Sequence, residues 1–259
     1  MSLLYETIKS IGALDEKAMA AARHRQDTLT KPLGSLGRLE ETSVRLAGIF
    51  ANPIPALGGK VIILAAGDHG VAVEGVSAYP QEVTAQMVLN FLGGGAAINV
   101  LARHAGARVV VVDAGVASDL PSHPDLVDRK IGKGTQNMAV GQAMSREQAI
   151  KALEAGISQA GEEVTRGADL IGTGDMGIAN TTPSSAIVSV ITGNEAEIVT
   201  GRGTGISDEG WRHKVSVVRR SIEVNRPDRG DALDVLAKVG GFEIGFLAGV
   251  MLGTAARRR

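Results

Sequence analysis

Residues 170–184 run Leu-Ile-Gly-Thr-Gly-Asp-Met-Gly-Ile-Ala-Asn-Thr-Thr-Pro-Ser. Gly172, Gly174 and Gly177 surround one acid, Asp175, and Asn180 and Thr181 follow. Glycines let a ligand approach the backbone closely. A carboxylate among them repels phosphate, so it suits a group that is cationic or becomes so. An N-glycosidic bond to a pyridinium meets both conditions. Backbone N–H groups would hold a phosphate, and Asp175 would face the ribose C1′ or the attacking base. A second glycine run, Gly201-Arg202-Gly203-Thr204-Gly205, precedes Ser207, a good N-cap residue, and Lys214 falls two turns into the helix expected next. Loop, helix N-terminus and lysine together make a phosphate site. The same residues also suit a surface turn with a solvated lysine.

Other constellations are weaker. Asp68-His69, inside Gly67-Asp68-His69-Gly70, invites a catalytic dyad or a metal pair. Adjacent residues seldom reach one atom, and the five histidines (24, 69, 104, 123 and 213) show no metal-binding spacing. Gly172-x-Gly174-x-x-Gly177 formally matches the dinucleotide fingerprint, whose helix must open within the motif. Here the expected helix start is later, at Thr182-Pro183. Glu195 and Glu197 lie where a ribose-binding acid would fall, but no clear strand delivers them. There is no Gly-x-Ser-x-Gly elbow and no phosphate-binding P-loop motif.

These residues need elements to position them. Lys60–Ala66 and Arg108–Val112 are continuous apolar runs, the mark of strands buried on both faces. Ala168–Ile171 is a weaker third strand. Their ends give Gly67-Asp68-His69, Asp113-Ala114-Gly115 and the Asp175 segment, read as a loop. Ligands of open parallel sheets bind at such carboxyl ends. Helices are expected over 14–29, from Ser35 as N-cap with Leu39, Leu46 and Phe50 on one face, over 81–92 after Pro80, and over 96–104. Ser145-Arg146-Glu147-Gln148 is a capping box opening another, with Ile150, Leu153, Ile157, Ala160 and Val164 on one face. Gly240–Ala256 reads as a buried apolar helix ending at Arg257-Arg258-Arg259. Strands alternating with helices predict an α/β fold: a parallel, Rossmann-like sheet with helices on both faces. The expected division is a small helical region, 1–55, and an α/β nucleotide-binding domain, 56–259.

Composition narrows the function classes. The 259 residues are 44% hydrophobic, enough for a full core, and 27 basic against 28 acidic residues leave a net charge of −1. That balance provides no field for steering onto nucleic acid. With no cysteine, disulfides, thiolate metal sites and cysteine nucleophiles are excluded. Only 3% of residues are aromatic while 34 are glycine, which favours α/β over a β-sandwich. No signal peptide and no 18-residue uncharged apolar run is read, so a cytoplasmic protein without membrane contact is expected.

Several blocks together resemble one family. They are Lys31-Pro32-Leu33-Gly34-Ser35-Leu36-Gly37-Arg38-Leu39-Glu40, Gly67-Asp68-His69-Gly70-Val71, Gly172 to Pro183, Lys214-Val215-x-x-Val218-Arg219-Arg220 and Val239-Gly240-Gly241-Phe242-Glu243-Ile244. The family is nicotinate-nucleotide–dimethylbenzimidazole phosphoribosyltransferase, of cobalamin lower-ligand biosynthesis, and the blocks run in order along nearly the whole chain. The resemblance implies transfer of 5-phosphoribose from nicotinate mononucleotide to a benzimidazole nitrogen, giving α-ribazole 5′-phosphate and nicotinate with inversion. It implies no metal or cofactor, because the pyridinium already leaves well, and it implies a homodimer.

Roles carry over by position. Asp175 matches a family glutamate near the reacting centre and is one methylene shorter. Gly177 and Lys214 match positions around the nucleotide phosphate. Gly174, Asn180, Thr181, Gly203 and Asp68 complete the expected substrate-binding set. Tyr79 and Met87 match benzimidazole-pocket positions held by Ser and Gln in another member, so a more apolar pocket is expected; Met87 equally suits core packing. Family members continue past the helix matching Gly241–Ala256, with a further strand and a Gly-Glu-Gly-[Ser/Thr]-Gly motif that carries the general-base glutamate. No Gly-Glu-Gly occurs in this sequence. The resemblance therefore places that base beyond Arg259 and implies impaired catalysis by these 259 residues, since losing a general base costs about 10²–10⁴-fold. Two further readings are a non-catalytic nucleotide-binding homologue and a dinucleotide oxidoreductase.

Overall fold

The computed structural model describes residues 2–257, so Arg258 and Arg259 of the terminal arginine run lie outside the described residues. Three helices open the chain: α1 (Leu3–Ser10), α2 (Glu16–Thr28) and α3 (Arg38–Phe50). Helix α2 is capped by Asp15, whose Oδ1 accepts from Ala18 N at 2.8 Å. Helix α3 begins two residues later than expected. Ser35 sits in the preceding turn, and Gly37, at φ 53°, is the N-cap. Its buried face is Val44, Ala47 and Gly48, while Leu39 is exposed.

The sheet is parallel, ordered β3-β2-β1-β4, from β1 (Lys60–Gly67), β2 (Arg108–Gly115), β3 (Leu126–Asp128) and β4 (Leu170–Met176). The two apolar runs are the central strands, paired Val61 to Arg108 through Ala65 to Val112. Strand β4 corrects the sequence reading. It pairs with β1 from Lys60↔Leu170 to Ala66↔Met176, so Gly172, Gly174 and Asp175 are strand residues rather than loop residues. Register then decides direction, because side chains alternate between faces. Asp175 lies opposite Ala65. Val61, Ile63 and Ala65 face Phe246, Leu247 and Val250 of α11 (Phe242–Ala256). Leu64, Ala66 and Met176 belong to the other face, with α4 (Val83–Leu92) and α5 (Ala97–Ala105). Helices thus cover both faces of the sheet.

Helix α4 starts at Val83, whose N–H donates to Pro80 O at 3.2 Å, so Pro80 precedes the helix instead of opening it. By length and composition Val83–Ala105 could cross a membrane, contrary to the sequence reading. Gly93–Gly95 break it into α4 and α5, and Val88 and Phe91 of α4 with Ala96, the N-cap of α5, pack on the sheet.

Helix α6 (Arg146–Thr165) lies against α11. The contact is backbone to backbone. A Cβ on Gly156 would stand 1.9 Å from Phe246 O, and one on Gly249 2.0 Å from Leu153 O. The buried face of α6 includes Leu153, Ile157 and Ala160 as expected, with Ala149, Ala152 and Gly156 added and Ile150 and Val164 only half-buried. Leu4 of α1 is buried in the same cluster. The capping box is present: Gln148 N donates to Ser145 Oγ at 3.1 Å, and Ser145 N to Gln148 Oε1 at 3.0 Å. Ser145→Ala is expected to cost about 1 kcal/mol, read as a lower urea midpoint at unchanged slope.

Four helices complete the fold: α7 (Thr181–Thr192), α8 (Ala196–Val199), α9 (Asp208–Asn225) and α10 (Ala232–Val239). Ser207 caps α9 as expected, accepting from Gly210 N at 3.2 Å.

Candidate active site

The carboxyl ends of β1 and β4 meet the N-terminal ends of α7 and α11. A cleft of about 290 Å³ lies there, lined by Val76, Ser77, Asp175–Thr181, Gly203 and Thr204. It is at the small end for ligand sites. A larger groove of about 540 Å³ between α7, α10 and α11 is lined by apolar residues alone. Chemistry, not size, singles out the smaller cleft.

The turn from β4 into α7 is tightly built. Ala179 is buried and has φ 72°, a left-handed conformation that costs an L-residue about 1–2 kcal/mol. It is held from outside: Ile178 N donates to buried Thr84 Oγ1 of α4 at 3.0 Å, and Thr182 N to Ala179 O at 2.9 Å. The strain turns Asn180 back, so that its Nδ2 donates to Asp175 Oδ2. Burial raises the Asp175 carboxyl above the usual carboxylate range, and the Glu243 charge adds to the rise.

Behind Thr181 and Gly203, which line the cleft, stands Lys214. Its side chain is 1% exposed, and Nζ donates to Thr181 Oγ1 at 2.5 Å. Burial lowers its pKa, and no carboxylate pairs with it among the described ion pairs. Gly203, at φ 56°, brings backbone over this ammonium; a Cβ there would be 2.8 Å from Thr181 Oγ1 and 3.0 Å from Nζ. The glycine run is tied down where Thr204 Oγ1 accepts from Ala78 N at 3.0 Å, and Arg202 pairs with Asp208. A buried cation without a counter-ion, beside a hydroxyl and a helix N-terminus, suits an anion.

A third group was not foreseen as part of the site. His69, after β1, and Glu243, in the first turn of α11, are both fully buried with Nε2 and Oε1 2.9 Å apart. Three glycines wall the pair. A Cβ on Gly67 would be 2.6 Å from Glu243 Oε2, one on Gly241 2.5 Å from His69 Cε1, and one on Gly177 3.2 Å from His69 Nε2 and 2.2 Å from Gly67 O. The signal lay in Gly240-Gly241 ahead of an acid opening an apolar helix, but spacing alone could not connect it to His69.

Of the expected residues, Asp175, Gly177, Asn180, Thr181 and Gly203 line the cleft, with Lys214 behind Thr181 and Gly203. Gly174 is a β4 residue opposite Leu64 and outside the cleft lining. Asp68 is buried, its Oδ2 accepting from Ala117 N at 2.8 Å; burial raises its carboxyl. Asp68 and His69 share no hydrogen bond and so do not form a dyad. Tyr79 is exposed at the rim, its N–H donating to Ser77 Oγ at 3.3 Å. Met87 packs, half-buried, in the α4–sheet cluster that also holds Met176. Asp113 accepts from Val116 N at 2.9 Å and pairs with Lys130 at 3.1 Å. No cluster of His, Asp and Glu among the described residues could hold a metal ion. Helix α7 opens at Thr181, after the glycines, so the dinucleotide fingerprint lacks its helix.

A family model described as Phosphoribosyltransferase matches residues 11–259. The nicotinate-nucleotide–dimethylbenzimidazole phosphoribosyltransferase of Roseiflexus sp. (strain RS-1) is 62% identical over 258 residues, covering 100% of this chain and 73% of that relative. The enzyme of the same name from Chloroflexus aggregans is 60% identical over the same shares. A crystal structure of the Thermus thermophilus phosphoribosyltransferase of that name superposes with a TM-score of 0.86 at 47% identity, over 92% of this chain and 70% of that one. Family model, relatives and fold agree: this chain belongs to the nicotinate-nucleotide–dimethylbenzimidazole phosphoribosyltransferase family.

Proposed function

We propose that the protein transfers 5-phosphoribose from nicotinate mononucleotide to 5,6-dimethylbenzimidazole, as its relatives are named for doing, and that Asp175 and Lys214 face opposite ends of the phosphoribosyl group. The observation that carries this is one small cleft with a carboxylate in its lining and, behind Thr181 of that lining, a buried ammonium that lacks a counter-ion among the described ion pairs. Lys214 Nζ, Thr181 Oγ1 and the α7 N-terminus bind the 5′-phosphate. Asp175, oriented by Asn180, lies toward C1′ and stabilises the positive charge that develops as the glycosidic bond stretches. The bond from C1′ to the pyridinium nitrogen breaks and nicotinate leaves with its electron pair. A benzimidazole nitrogen bonds to the opposite face of C1′, which inverts the centre. Holding both partners in line supplies much of the acceleration.

The N–H proton of the incoming base goes to a general base. We assign it to the family's Gly-Glu-Gly motif, which is not in this sequence. Tyr79 and Met87 are assigned to the base-binding side on resemblance alone. Cytoplasmic, homodimeric protein is the expected working form on the same ground, and sedimentation velocity tests the dimer. The non-catalytic alternative predicts nucleotide binding without turnover.

An endpoint assay tests the reaction. The protein is incubated with nicotinate mononucleotide and dimethylbenzimidazole, and products are read by mass spectrometry. The expected result is α-ribazole 5′-phosphate with equal nicotinate. Nucleotide binding without any product would favour the non-catalytic reading.

A further inference from the structure

The His69–Glu243 pair has no role in the steps above, yet it is the most enclosed ionisable pair of the site. Asp68 approaches His69 from its own segment, Glu243 from α11 and Asp175 from β4; no cation is among the charges acting on it. The Nε2–Oε1 contact of 2.9 Å is not aligned as a hydrogen bond, and neither ring nitrogen has a hydrogen-bond partner among the described residues. What remains is charge against charge. Glu243 shares the glycine-walled pocket with the imidazole, and Asp68 and Asp175 add their charge from outside it, so a proton on the ring offsets all three.

We propose that His69 is held as an imidazolium, a buried counter-ion shared by the acids at the ends of β1 and β4, and that its charge keeps Asp175 ionised at the cleft. His69 is a positioning residue, acting through Asp175. Burial by itself would pull the imidazole down; the charge of Glu243 and its close contact with the ring, then the charges of Asp68 and Asp175, outweigh it and hold it above its ordinary value. Without that positive charge, Glu243 would push Asp175 further toward its neutral form, which cannot stabilise a developing cation. The importance for catalysis rests on the phosphoribosyl-transfer reading; the charge state itself does not.

The test therefore uses no substrate. Histidine ring nitrogens and aspartate carboxyl carbons of the whole chain are followed by NMR against pH, with His69→Gln and Asp175→Asn identifying the signals by their loss. His69 is expected to remain imidazolium at pH 7 and to titrate above the free value near 6.5. In Glu243→Gln its midpoint should fall, and in His69→Gln the Asp175 midpoint should rise. A neutral His69 ring at pH 7, or an Asp175 midpoint unmoved by His69→Gln, overturns the proposal. Should His69→Gln not fold, the wild-type and Glu243→Gln titrations decide. A failed transfer assay with a charged His69 would sink only the functional reading; a neutral His69 with active protein would sink only this one.

Discussion

Glu243→Ala is expected to remove about 3–5 kcal/mol of folding free energy, because it strips one partner from a buried pair and leaves the other uncompensated. A domain typically has about 5–15 kcal/mol in total, so the variant should be marginal. The loss has a pH signature. The folded-state pKa of His69 is raised, so its contribution is fully present below the unfolded value near 6.5 and is lost as pH rises through the folded value. Removing Glu243 takes away the strongest cause of that rise and leaves burial to oppose the charge. The gap between wild type and variant should therefore be widest at about pH 5–6.5 and narrow toward alkaline pH. Urea unfolding at several pH values reads it. A pH-independent gap would mean that Glu243 acts by packing alone.

Lys214→Met should do two opposite things. The lysine is buried beside Thr181 with its pKa lowered by burial, so in the free protein its charge works against folding. A depressed lysine pKa carries that cost in full below the folded value, and the cost fades as pH rises toward the unfolded value near 10.4. At neutral pH the unbranched apolar methionine should raise the melting temperature of the free protein. The same change removes the ammonium assigned to the phosphate. Charged hydrogen bonds contribute about 1.5–3 kcal/mol, so affinity for nicotinate mononucleotide should fall about 10–150-fold. A more stable protein that binds worse marks a residue kept for a ligand. A variant both less stable and equally able to bind would assign Lys214 to the core.

The central strands were legible because burial on both faces leaves an uninterrupted apolar run, as in Ile62-Ile63-Leu64 and Val109–Val112. Strand β4 was cut short in the sequence because Gly172 and Gly174 carry no side chain to show alternation; only pairing with β1 makes them strand. Strand β3 was missed because three residues carry no period. Ser145 and Ser207 announced their helices, whereas Ser35 did not, because Gly37 takes the conformation that the α3 entry requires. In the site, Asp175 was visible among glycines, and Lys214 as a lysine two turns past Ser207 and the glycine run before it. His69 with Glu243 was not: the pair forms only when the first strand meets the last helix, and spacing holds no record of that contact.

Calorimetric titration of nicotinate mononucleotide into the wild-type protein and Lys214→Met tests the phosphoribosyl site most directly. Saturable binding by the wild type, at least about tenfold weaker in the variant despite its higher melting temperature, is the predicted result. No binding to the wild type at millimolar nucleotide, or equal affinity in both proteins, would contradict the assignment of this cleft.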